Sequence, residues 1–187
     1  MGFYDSIENV EMYVKMAEGY NGQMFYDLLV PYLEEGSKVL ELGAGEGKDI
    51  KIFSEKYHVI GSDSSEVFVN MYNKTNEENP MLLLNAETIN GDETYDCIYS
   101  NKVLQHVTKE GMIKSISQQY KHLNKNGIII HSLWYGSGEE SFDGMLNIYY
   151  TEKDVKEFLG DQFEILELER YTEMDKNDSL YFIARVK

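Results

Sequence analysis

The stretch "VLELGAGEGKDI" carries glycines at positions 43, 45 and 47 directly after a short apolar run. A strand that enters a glycine-rich turn and leaves as a helix brings backbone N–H groups close to a ligand, because glycine has no side chain to hold the ligand away. Glu41 and Glu46 flank these glycines. Carboxylates beside an anion cradle would repel the anion, whereas they suit a ligand that carries an ammonium and a sulfonium. The spacing is G-x-G-x-G and not the dinucleotide G-x-G-x-x-G. A second acid, Asp63, ends the run "HVIGSD", 16 residues past Gly47. A carboxylate there can accept both hydroxyls of a ribose, and its competing role is to cap a helix beginning near Ser64.

His106, in "VLQHV" after the apolar run "YDCIYSN", is the candidate to accept a proton near a substrate; packing or capping a short helix is an equally weighted role for it. Its neighbour Gln105 is a neutral amide and a poor ligand for a hard cation, so no metal is expected. His58, His122 and His131 are dispersed and read as structural. Two aromatic segments stand outside the repeating pattern. Residues 1–23 supply Phe3, Tyr4, Tyr13 and Tyr20, and residues 135–150 supply Tyr135, Phe142, Tyr149 and Tyr150. Aromatic walls with few polar groups suit a small organic acceptor, although tyrosines at such spacing also serve as half-buried packing.

These groups need a scaffold, and the apolar periodicity supplies one. "KVLEL", "HVIGSD", "MLLLNA", "YDCIYSN" and "IIIHSLW" read as strands, too densely apolar for a solvent-facing sheet. Between them "GKDIKIFSEKY", "SSEVFVNMYNKT" and "TKEGMIKSISQQYKHL" read as helices, the last capped by Thr108. "NKNG" reads as a turn. Phe25, Leu28, Leu29, Tyr32 and Leu33 line one face of a helix over 24–36 that Pro31 should kink or split. "TEKDVKEFL" opens with a capping box from Thr151 and Asp154. "FEILELERY" and "SLYFIARVK" form an antiparallel hairpin at the end. The expectation is an α/β fold: a doubly wound, mostly parallel seven-stranded sheet with helices on both faces and a C-terminal antiparallel hairpin strand. Residues 1–187 read as one domain, with 1–23 a helical cap and 135–150 an acceptor loop.

The 33 acids against 17 bases give a net charge of −16, the wrong sign for a protein that neutralises a phosphate backbone or an anionic membrane. Neither nucleic acid nor membrane is an expected partner. A single cysteine, Cys97, permits no internal disulfide, and no apolar run reaches the roughly 18 to 20 residues needed to cross a bilayer. With no signal-peptide pattern, the expected compartment is the cytoplasm.

Together the ordered motifs resemble the class I S-adenosylmethionine-dependent methyltransferases, in particular the small-molecule branch. "VLELGAGEGKD" is similar to the first motif of that family, "VIGSDSSEVFV" to its acidic second, "LLLNAETI" to its third and "YDCIYSNKVLQHV" to its fourth. The resemblance implies S-adenosyl-L-methionine as cofactor, S-adenosyl-L-homocysteine as product and a small-molecule methyl acceptor. It implies that Glu41, Gly43, Ala44 and Gly45 lie along the methionine part, that Asp63 holds the ribose with Ser64 nearby, and that Asn85 and Ala86 meet the adenine. Ser100, Asn101 and Gln105 would face the methionine end. Methyl transfer from a sulfonium is an in-line displacement, so the main task is alignment in a dry pocket. The alternative is a sensor or partner module that binds the cofactor without turnover. A monomer or homodimer is expected.

Overall fold

The structure is a computed structural model that describes residues 2–142 and 144–187. Residue 143 of the expected acceptor loop and residue 1 of the expected cap lie outside the described residues. The N-terminal segment contains a 3-10 turn, Phe3–Asp5, and α1, Ile7–Met16, followed by α2, Gln23–Leu29. The repeating unit follows as β1 (Lys38–Leu42), α3 (Lys48–Phe53), β2 (His58–Asp63), α4 (Glu66–Asn73), β3 (Leu82–Leu83) and β4 (Tyr95–Asn101). A 3-10 turn at Leu104–His106 leads to α5 (Lys109–His122) and β5 (Leu123–Trp134). The chain ends with β6 (Glu139–Phe142), β7 (Met145–Ile148), α6 (Glu152–Leu159), β8 (Phe163–Tyr171) and β9 (Ser179–Val186).

Seven strands form one sheet in the order β3-β2-β1-β4-β5-β9-β8; the first five are mutually parallel and β9 runs antiparallel to both of its neighbours. The expected doubly wound sheet and terminal hairpin are therefore present. Each strand divides its side chains between two cores, as the period of two requires. Leu40, Leu42, Ile98, Ile129 and Phe182 pack with Met112 and Ile116 of α5 and Val155 and Leu159 of α6. Val39, Cys97, Tyr99, Ile130 and Ile183 pack on the other face with Phe25 and Leu29 of α2 and Ile50 and Phe53 of α3.

Thr108 caps α5 and Thr151 with Asp154 forms the capping box of α6, as their spacing predicts. Three local expectations change. The helix expected over 24–36 stops at Leu29, because Pro31 cannot donate the next helical hydrogen bond, and the chain turns there through Leu33 N–H to the Leu29 carbonyl. The strand expected in "MLLLNA" shrinks to two residues at the sheet edge, paired with Ser62 and Asp63. "NKNG" swells out of β5 without ending it: Tyr95 pairs with Leu123 and Cys97 with Ile128, with Asn126 at φ 63° inside the swelling.

Phe182 is fully buried on β9, between β5 and the edge strand β8, with its ring 5.4 Å from His131 and 5.7 Å from Phe158. Phe182→Ala is expected to cost about 3–5 kcal/mol in urea denaturation, while Leu83→Ala at the exposed edge should change stability by less than about 0.5 kcal/mol.

Candidate functional site

The site is built where β1 and β2 end. Gly43, Gly45 and Gly47 all take left-handed backbone angles, φ 68°, 55° and 80°. A Cβ on Gly43 would meet Val103 at 2.5 Å, and one on Gly47 would run into the Tyr72 ring, so neither position admits a side chain. The Asp63 carboxylate pins this loop. Its Oδ2 accepts from the Gly45 N–H at 3.0 Å and its Oδ1 from the Ser65 N–H at 2.8 Å. Capping of α4 falls to Ser65, whose Oγ accepts from the Phe68 N–H. Burial raises the pKa of Asp63 against the pull of the Ser65, Gly45 and Ser64 N–H groups. Each carboxylate oxygen keeps a lone pair for a further donor.

Two cavities lie near Asp63: its hydrogen-bond partner Gly45 lines one and its chain neighbour Ser64 lines the other. One, of about 40 Å³, is lined by Tyr13, Tyr20, Glu41, Ala44, Asp49 and Asn101 together with the glycine loop. The other, of about 490 Å³, is lined by Asp5, Ser64, Glu66, Leu83, Leu84 and Asn85. The N-terminal segment lies over the divide between them: the Tyr4 carbonyl accepts from Ser65 Oγ at 2.6 Å, and the Tyr4 ring packs edge-on to Tyr13 and tilted against Phe68.

His106 is half-buried beside this divide, its ring edge-on to Tyr4. Its Nδ1 lies 2.7 Å from the Leu146 carbonyl of β7, which can only accept, so Nδ1 carries the proton and the other nitrogen keeps a lone pair. Burial lowers the His106 pKa, partly offset by the Leu146 and Lys102 carbonyls, so the ring is neutral at neutral pH.

The residues expected from the sequence separate into two groups. Glu41, Gly43, Ala44, Gly45 and Asn101 meet in the first cavity, and Ser64 and Asn85 in the second. Ala86 is half-buried next to Asn85 and packs against the core. Ser100 and Gln105 depart from expectation. The Ser100 hydroxyl is fully buried 2.7 Å from His131 Nδ1, because it points to the sheet face opposite Tyr99 and Asn101. The Gln105 amide turns inward and accepts from the Trp134 N–H at 3.1 Å. The segment 135–150 is not a plain loop but carries the paired strands β6 and β7, and β7 supplies the carbonyl that sets the His106 tautomer.

Asp49 has no role in the sequence reading, yet it is 4% exposed in the first cavity, and its Oδ2 accepts from Tyr20 Oη at 3.0 Å and from Tyr99 Oη. The signal that could have found it is an acid on the same helical turn as the inward-facing Ile50. Among the described residues no three His, Cys, Asp or Glu side chains are grouped to hold a metal ion, and no helix is long and apolar enough to cross a membrane.

A cationic amino-acid ligand joined to a nucleoside fits this arrangement. The first cavity offers buried carboxylate oxygens without partners, Glu41 Oε2 and Asp49 Oδ1. Ser64, next to Asp63, lines a second cavity large enough for a nucleobase. The family described as Methyltransferase domain matches residues 18–159. The phosphoethanolamine N-methyltransferase of Plasmodium falciparum is 29% identical over 127 residues, which are 65% of this chain and 48% of that protein, so the chain spans about half the length of this curated relative. Among solved structures, an S-adenosylmethionine-dependent methyltransferase from Clostridium acetobutylicum superposes with a TM-score of 0.76 at 12% identity, covering 94% of this chain and 99% of that one. The 1,6-didemethyltoxoflavin-N1-methyltransferase of Burkholderia thailandensis, solved with that compound and S-adenosylhomocysteine, also gives 0.76, at 18% identity over 92% and 80% of the two chains. The chain belongs to the methyltransferase-domain family and has the fold of the S-adenosylmethionine-dependent methyltransferases.

Proposed function

We propose that the chain transfers a methyl group, in line, from S-adenosylmethionine to the nitrogen of a small amine. The observation that carries the reading is the glycine loop, pinned by Asp63, lining an acidic, tyrosine-lined cavity, with a larger cavity beside Ser64. The cofactor supplies an activated methyl group on sulfur. Gly43, Ala44 and Gly45 would follow its methionine part, Asp63 and Ser64 its ribose, and Asn85 with Ala86 its adenine. An amine must lose a proton to end neutral, and His106, whose Nδ1 proton goes to the Leu146 carbonyl so that one ring nitrogen stays unprotonated, is the group that would take it.

An anionic acceptor is less well supported, because the nearby cations are engaged. Lys48 binds Glu46 at 2.7 Å and the Ala17 carbonyl at 2.6 Å. Lys102 lies 3.5 Å from the centre of the Trp134 ring and pairs with Glu173 at 3.1 Å.

Calorimetry should find S-adenosylmethionine and S-adenosylhomocysteine binding in the micromolar range, and a screen of amines with methyl-labelled cofactor should find a product. Binding without transfer to any amine, thiol or phenol would favour the sensor alternative, and binding of NAD in place of either ligand would overturn the reading. Asp63→Ala should weaken cofactor affinity at least tenfold, whereas Ser65→Ala should cost about 1 kcal/mol of stability and leave affinity nearly unchanged.

His106 works as a base only when unprotonated, and its pKa is lowered. At saturating cofactor, kcat should fall with decreasing pH, and the fall should begin at lower pH than for an ordinary exposed imidazole. His106→Asn should reduce kcat about 100-fold with little change in cofactor affinity.

A further inference from the structure

Glu41 of β1 pairs in register with Tyr99 of β4, so the two side chains emerge side by side on the face covered by α3. Asp49, in the first turn of α3, approaches the same place and is held there through its Oδ2 by Tyr20 and Tyr99. Its remaining oxygen, Oδ1, and Glu41 Oε2 are buried with no hydrogen-bond partner among the described residues. Both side chains are 4% exposed and both line the small cavity.

We propose that Glu41 and Asp49 hold one proton between them in the ligand-free protein, and that the ammonium group of an entering ligand displaces it. The cavity is then a cation site that exchanges a proton for its ligand. The identity of that ligand as S-adenosylmethionine rests on the function proposed above; the shared proton does not.

Two adjacent carboxylates out of water cannot both ionise without a cation between them. Among the described residues Lys48 is the cation that lines the cavity, and it is turned to Glu46 and the Ala17 carbonyl. From β2, Asp63 adds further negative charge. The phenols that face the pair, Tyr13 from α1, Tyr20, Tyr99 from β4 and Tyr72 from α4, are all raised by burial and stay neutral. Burial, then Asp49 and Asp63, hold the Glu41 carboxyl well above the usual range. Burial raises Asp49 as well, but the hydroxyl donors of Tyr99 and Tyr20 and the Lys48 charge favour its ionised form. The proton therefore resides on Glu41 and the charge on Asp49.

The ligand-free state binds the extra proton and the cation-bound state releases it to solvent. Affinity for an ammonium-bearing ligand therefore rises with pH, by up to about tenfold per unit, and flattens once the free pair has lost its proton. Calorimetry at about pH 7 in buffers of different ionisation enthalpy measures the release directly. S-Adenosylhomocysteine, which keeps the ammonium, should release about one proton per molecule bound. 5′-Methylthioadenosine, which lacks the amino-acid part, should release none, and Glu41→Gln should abolish the release with S-adenosylhomocysteine. Equal release from the wild type and E41Q, or none from the wild type, overturns the proposal while leaving the methyltransferase reading intact. If neither cofactor binds, that reading fails, and carboxyl-carbon NMR of the ligand-free wild type still decides the shared proton. Glu41 should titrate far above the exposed glutamates; titration alongside them overturns it.

Discussion

The Asp63 carboxylate ties the turn after β1 to the turn after β2, and the rest of the site depends on that tie. Gly45 sits in a left-handed conformation with its N–H directed at Asp63 Oδ2, and Ser65 takes the other oxygen. Hydrogen bonds to a charged acceptor contribute about 1.5–3 kcal/mol each, enough to hold a turn that glycine alone would leave loose. The same carboxylate thus shapes the loop that lines one cavity and sits next to Ser64, which lines the other. Shape and recognition come from one group.

The N-terminal segment is held by the site and not by the back of the sheet. Tyr20 donates to Asp49 and accepts from Asn101 Nδ2 at 2.8 Å, while the Tyr4 carbonyl takes the hydroxyl of Ser65. Every one of these partners lies on or beside the carboxyl ends of the parallel strands. Closing the cavity and ordering the first 20 or so residues are therefore a single set of contacts. Gly22 makes this possible: at φ 68° it brings the chain so close to Asp49 that any side chain there would strike the carboxylate.

Much of this architecture was legible from the sequence because it depends on periodicity and on glycine. Strand and helix alternation gave the sheet, and alternation within each strand gave its two cores. The motif spacing led to Glu41, Asp63 and Asn101. Ser100 was misjudged, although the period of two contains the correction: Tyr99 and Asn101 reach Asp49 and Tyr20 on one face, so Ser100 must point to the other, where His131 meets it. Gln105 was misjudged because its inward turn depends on a backbone N–H of Trp134, 29 residues away. Asp49 escaped because an acid in the first turn of a helix ordinarily serves the helix dipole in solvent, and only the packing of α3 on β1 and β4 buries it.

Two histidines show how hydrogen bonding decides whether a buried ring keeps a free lone pair. His131 is fully buried with both ring nitrogens engaged, Nδ1 with Ser100 and Nε2 with Gln119 at 2.7 Å each, and burial pushes its pKa down to about 3. No lone pair is left to offer, and the ring locks β4, β5 and α5 together. His106 is partly buried, and its Nδ1 is held by a carbonyl from the β6–β7 insertion. The insertion thus fixes which ring nitrogen of His106 carries the proton, through a backbone carbonyl and not a side chain.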